Sequence, residues 1–238
     1  MDTRSLSQHI SHEYNQELEA VRSSLLAMGG LVEEQINHAL QALVEGDSRL
    51  AEQVVQNDDR INQMEVAIDE ECGRILARRQ PAASDLRLVI AIIKASTDLE
   101  RMGDEAQKIG RMALSLAGHD RPAGGYREIE HLGQAVQSTV RDALNTFARL
   151  EVESALTIIR ADSRINREYE SIARQCITFM MEDPRQIRRV LDAMWCARSL
   201  ERIGDHAKNL CEYVIYLVHG KDVRHSNLDE AEKELRSR

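Results

Sequence analysis

Leu99-Glu100-Arg101-Met102-Gly103-Asp104 is written a second time as Leu200-Glu201-Arg202-Ile203-Gly204-Asp205, with only Met exchanged for Ile. The surroundings repeat as well. Asp58-Asp59-Arg60-Ile61-Asn62 returns as Asp162-Ser163-Arg164-Ile165-Asn166, Cys72 falls opposite Cys176, and Pro81 matches Pro184 after a small change of offset. Matches in the same order over this span point to a tandem duplication, so the chain reads as two copies of one unit.

Each copy is patterned for helices. Ile10, Tyr14, Leu18, Val21, Leu25, Met28, Val32, Ile36, Leu40 and Leu43 recur every three or four residues, which makes one long amphipathic helix. Gly29-Gly30 inside it predicts a kink or a close helix contact. Gly46 should stop this helix and Asp47 cap the next. The second helix uses Leu50, Val54, Ile61, Met64, Ile68, Cys72 and Ile75, and stops before Gln80-Pro81. The third, with Ser84 or Asp85 as its cap, runs from Leu86 to Leu116.

Four helix breakers between Gly118 and Gly125 mark the joint between copies. A shorter fourth helix (Leu132 to Phe147), a fifth (Leu156 to Phe179) and a sixth after an Asp183-Pro184 opening complete the second copy. The expected fold is all-α: two tandem three-helix bundles, packed side by side with approximate internal symmetry. The first covers 1–117 and the second 126–220, with a linker at 118–125 and a polar tail at 221–238. There is no strand signal.

Composition agrees. Three prolines, twelve glycines and 3% aromatic residues in 238 favour helices over sheets. A net charge of −9 argues against a nucleic-acid binder, whose affinity rests on a basic face. The opening Met1-Asp2-Thr3-Arg4-Ser5 is not a secretory signal, and the apolar run Leu88 to Ile93 is too short to span a bilayer. Cys72, Cys176, Cys196 and Cys211 lack zinc spacing and read as buried reduced thiols of a cytoplasmic protein.

On a helix, Glu100 and Asp104 share one face a turn apart, as do Glu201 and Asp205. Such oxygens suit a hard cation, a divalent metal or iron. The competing reading is a solvated face, since 40 residues of the chain are acidic. Recurrence of the pair with its flanks brings the site level with that reading. Glu65 and Asp69 on the second helix could add ligands, whereas their counterparts Tyr169 and Ala173 cannot, so the two sites should differ. Gly103 and Gly204 either permit close helix packing or admit a ligand to the backbone. Arg101 should pair with Glu105, and Arg202 should face His206. Catalytic constellations are missing: Glu128 to His131 is the only Glu-x-x-His of the two that a di-iron bundle needs, and the histidines are scattered. No phosphate loop or nucleophile elbow is present.

The paired LERMGD and LERIGD stretches, Arg79-Gln80-Pro81-Ala82-Ala83-Ser84-Asp85-Leu86-Arg87 and Met64-Glu65-Val66-Ala67-Ile68-Asp69 resemble the PhoU family. Met181-Glu182-Asp183 and Cys196-Ala197-Arg198-Ser199-Leu200 extend the likeness over nearly the whole chain. The resemblance implies a cytoplasmic, usually dimeric, non-enzymatic regulator of phosphate homeostasis that negatively modulates phosphate uptake. Its partners would be a second copy, the ATPase subunit of the phosphate ABC transporter and a phosphate-sensing histidine kinase, with the membrane reached only through them. It also implies metal clusters on E(D)xxxD motifs, here Glu100 with Asp104 and Glu201 with Asp205. Where other members carry Asp on the second and fifth helices, this chain has Asn62 and Asn166. The alternatives are a metal-dependent helical-bundle enzyme and a metal-binding structural protein.

Overall fold

The structure, a computed structural model, describes residues 3–119 and 125–223, with side chains from position 12 onward. Six helices follow in order: α1 (Thr3–Glu45), α2 (Ser48–Arg79), α3 (Ala83–Ala117), α4 (Arg127–Arg149), α5 (Val152–Glu182) and α6 (Ile187–His219). A 3-10 turn at Pro184–Gln186 precedes α6, and the described residues contain no strand. The sixth helix ends at His219, so most of the polar tail, like residues 120–124 of the linker, lies outside the described residues.

The turns obey local chemistry. Gly46 takes a positive φ of 68° that a side chain would oppose, and Asp47 caps α2 by accepting from the Leu50 amide at 3.0 Å. Asp183 accepts from the Arg185 amide at 3.2 Å, with Pro184 first in the turn. The start of α3 departs from expectation. Its cap is Ala82, which has no side-chain bond, and Ser84 and Asp85 lie inside the first turn. The left-handed Gln80 and Pro81 reverse the chain so tightly that the helix begins before either polar residue can cap it. Asp85 still opposes the positive helix end.

One apolar core draws buried residues from all six helices. At its centre α3 and α6 run antiparallel: Arg87 lies near Leu217, Asp98 near His206, and Ser115 near Asp192. Contacts between the halves come in exchanged pairs. A methyl at Gly29 on α1 would stand 2.5 Å from Leu144 on α4, and one at Gly133 on α4 would stand 2.6 Å from Leu40 on α1. Leu40 and Leu144 are themselves counterparts. Arg141 donates to Glu33 at 2.6 Å and Gln137 to Asn37 at 3.2 Å, the same pairing with roles exchanged. The Asp98–His206 bond returns as Glu105–Ser199 at 2.8 Å. Of the two α1 glycines, Gly29 therefore marks a close helix contact, while Gly30 faces open space.

One asymmetry stands out. The first half of α1 has no equivalent in α4, which begins at Arg127. That extra length lies along the ends of α2 and α3, where Leu18 and Val21 are buried and Glu17 holds Arg79 through two bonds of 2.8 Å.

Candidate functional site

The repeated acidic pairs sit on the two central helices, and each faces the repeated Asp of the neighbouring helix. In the first copy Asp58, on α2, is buried, accepting from Gln35 at 3.3 Å and from Asn62 at 3.5 Å. Gly103 makes this approach possible. A methyl there would stand 3.1 Å from Ile61 and 3.3 Å from the Asp58 carboxylate, closer than side chains normally tolerate. Gly204 likewise receives Ile165, at 3.2 Å. Helix packing accounts for both glycines, and in the first copy it also presses a carboxylate toward α3.

The result is a crowd of negative charge. Burial raises the Asp58 carboxyl above its ordinary range, with the charge of Asp104 as the next cause. Burial also raises Glu100, followed by Asp104 and, after the opposing Arg101, by Glu65. The structure thus brings Glu65 toward the pair. Asp69 is set apart, exposed and accepting from Ser96 at 3.4 Å. Arg101 supplies the counter-charge, 3.4 Å from Glu100 and 3.5 Å from Asp104.

The second copy is built on the same plan and neutralised differently. Asp162 takes the place of Asp58, and burial raises Asp205, with Asp162 as the next cause. Glu201 is raised by burial and by Asp205. Where the first copy has Thr97 and Glu65, this one has Arg198 and Tyr169. The Arg198 guanidinium stacks 5.5 Å from the Tyr169 ring and donates to both Glu201 oxygens at 2.7 Å. Lys208, in the place of Gln107, stands 3.7 Å from Asp162. Even so, Asp162 Oδ1 and the Oδ1 atoms of Asn62 and Asn166 are buried without a hydrogen-bond partner. Unpaired buried oxygens beside desolvated carboxylates suit a hard cation in kind and in charge. Among the described residues no three such side chains already converge as a ligand set.

One expected ion pair and one expected neighbour are replaced. Arg101 engages Glu100 and Asp104 rather than Glu105, because Glu105 is buried between the halves and taken by Lys108, Arg202 and Ser199 at 2.8 to 2.9 Å. Arg202 therefore reaches across to Glu105 at 2.9 Å instead of facing His206. His206 joins Asn209 and Tyr213 in bonding the buried Asp98 at 2.7 to 2.9 Å.

Asp58 and Asp162 were visible in the sequence as the first residues of a repeated stretch, a signal that pairing acids within single helices passes over. Gln35, Arg198 and Lys208 carried no such signal. All four cysteines are buried and free, and burial pushes the Cys72 and Cys211 thiols up to about 12.

Comparison with known proteins agrees with this duplicated architecture. The family model described as PhoU domain matches twice, over residues 25–113 and 129–214. The phosphate-specific transport system accessory protein PhoU homolog of Pseudomonas putida is 57% identical over 235 residues, 99% of this chain and 92% of that protein. The accessory protein PhoU of Escherichia coli strain K12 is 47% identical over 236 residues, 99% of this chain and 97% of its own. The crystal structure of PhoU from Pseudomonas aeruginosa superposes with a TM-score of 0.85 at 57% identity, covering 87% of this chain and 100% of that one. The phosphate transport system regulatory protein PhoU from Streptococcus pneumoniae gives 0.81 at 32% identity, over 88% and 99%. Two domain matches, each spanning one copy of the repeat, show that the chain belongs to the PhoU family.

Proposed function

We propose that this chain is a non-enzymatic accessory regulator of a phosphate-specific transport system, restraining phosphate uptake and the phosphate-starvation response. The observation that carries the reading is near full-length identity to relatives named as accessory proteins of that system. It would act in the cytoplasm as a homodimer, linking the ATPase subunit of the transporter to a phosphate-sensing histidine kinase. Among the described residues no helix is long and apolar enough to cross a membrane, which is consistent with reaching the membrane through partners.

Asp58, Glu100 and Asp104, with Glu65 beside them, would hold a hard cation in the first copy. Asp162, Glu201 and Asp205 would do so in the second. A bound divalent metal or iron would supply the positive charge that these carboxylates lack and so fix α2 against α3 and α5 against α6. Gln35 keeps Asp58 turned inward, while Arg198 and Lys208 already balance part of the second cluster's charge.

The test is genetic. Deleting the gene should switch a phosphate-starvation reporter on in phosphate-rich medium, and the wild-type gene should restore silence. A reporter that stays silent in the deletion strain would refute the regulatory reading. Robust hydrolysis of phosphate esters by the purified protein would count against the non-enzymatic one.

A further inference from the structure

The two carboxylate clusters differ at two matching positions at once. Glu65 on α2 and Thr97 on α3 become Tyr169 on α5 and Arg198 on α6. One exchange removes an acid, the other adds a cation, and the two new side chains meet, with the guanidinium 5.5 Å from the ring. A guanidinium held on an aromatic face is fixed in direction as well as attracted. Arg198 is 40% exposed and Glu201 only 11%, so the arginine reaches inward from the surface onto a nearly covered carboxylate.

Where the guanidinium ends decides its role. Nη1 of Arg198 stands 2.7 Å from both Glu201 oxygens, the place that a metal ion chelated by this carboxylate would need. Two cations cannot share it. Lys208 adds a positive charge 3.7 Å from Asp162, and the charges of Lys208 and Arg198 both reach Asp205. The first cluster is arranged otherwise. Thr97 donates back to the Ile93 carbonyl at 3.3 Å, and Gln107, in the place of Lys208, donates to the Val55 carbonyl at 3.2 Å. Arg101, 55% exposed, stands 3.4 Å from Glu100 and 3.5 Å from Asp104, longer than strong charge-assisted bonds. An incoming ion displaces little there.

We propose that Arg198, steadied by Tyr169, is the built-in counter-ion of the second cluster. The chain then takes one divalent ion tightly, among Asp58, Glu65, Glu100 and Asp104, and a second only weakly, by displacing Arg198 from Glu201. An i, i+3 ion pair on a helix surface needs neither the aromatic ring nor the loss of the neighbouring acid. The halves are thus set by different means: α2 against α3 by an ion drawn from solution, α5 against α6 by a charge attached to the chain. Metal supply acts on the first half while the second keeps its arrangement. The inference rests on the carboxylate clusters being cation sites, as proposed above.

The test titrates Mn²⁺ into the full chain, stripped of metal with a chelator and dialysed, following free Mn²⁺ by its paramagnetic resonance signal. The expected result is one tightly bound ion per chain, lost in Glu100→Gln and kept in Glu201→Gln, with the second ion weaker by about ten-fold or more. Arg198→Gln should tighten that second site about ten-fold, the effect of removing one unit charge from beside a divalent ion. Tyr169→Glu with Arg198→Thr should make both ions tight. The reverse exchange, Glu65→Tyr with Thr97→Arg, should abolish the tight site with the helical spectrum intact, and it decides the question if the first double variant fails to fold. Two equal sites in the wild type, a tight ion that follows Glu201 rather than Glu100, or a second site indifferent to Arg198→Gln overturns the proposal and leaves the cation sites standing. A wild-type chain that binds no Mn²⁺ overturns both.

Discussion

Replacing Glu100 with Gln and Asp104 with Asn should make the metal-free protein more stable. Carboxylates at i, i+4 lie about 6 Å apart, and at an effective dielectric near 20 their repulsion is about 3 kcal/mol. Glu100 is 17% exposed and Asp104 30%, and Arg101 touches both, so solvent and counter-ion reduce this to about 1 kcal/mol. In urea with a chelator, the variant's midpoint should rise by that amount at unchanged slope. Manganese at about a hundred times its dissociation constant should add roughly 2.7 kcal/mol to the wild type and little to the variant. The matching pair Glu201→Gln with Asp205→Asn should gain nothing without metal, because it strips Arg198 of a partner held at 2.7 Å through both oxygens. A first variant no more stable than wild type in chelator, or two halves that respond alike, would refute repulsion between Glu100 and Asp104 as the cause.

Three further outcomes can be checked by the same unfolding assay. Gly30→Ala, facing open space, should gain about 1 kcal/mol from helix propensity, whereas Gly133→Ala, 2.6 Å from both Leu40 methyls, should lose about 1 to 2 kcal/mol. Asp98→Ala removes the acceptor shared by His206, Asn209 and Tyr213 and should cost about 3 kcal/mol or more, with Asp98→Asn in between. Burial raises Asp58, Glu100, Glu201 and Asp205, so each takes up its proton in the folded state before the unfolded one. Their contribution is complete below the ordinary carboxylate values and is lost as pH rises through the raised ones. Glu17, lowered by its bonds to Arg79, acts in the opposite sense, its stabilisation fading as pH falls below the ordinary range. Metal-free stability should therefore peak on the acid side of neutrality, and a monotonic fall from pH 8 to 5 would contradict this balance.

The six helices were legible because burial follows a 3.6-residue period and each turn carries its own chemistry, as at Gly46-Asp47 and Asp183-Pro184. The start of α3 was not, since the left-handed Gln80 is a consequence of how the chain reverses rather than of residue type. The acids at 100, 104, 201 and 205 could be read from repetition alone. What faces them depends on the crossing of helices: Asp58 meets Asp104 because Gly103 lets α2 close in, a three-body arrangement that no spacing along one helix reveals. Glu105 looked like a neighbour for Arg101 on the helical wheel and turned out to belong to the seam between the halves.

The exchanged contacts across that seam have a consequence of their own. Each half presents the surface that it receives, so a lone copy of the unit could meet another copy through the same Gly–Leu and Asp–His or Glu–Ser positions, as a self-complementary dimer does. The short joint then contributes mainly proximity, an effective concentration of about millimolar. Covalent linkage also does something that a dimer of identical chains cannot. It releases the two copies from carrying the same residue at equivalent places, which is how Glu65 and Thr97 can stand in one half while Tyr169 and Arg198 stand in the other.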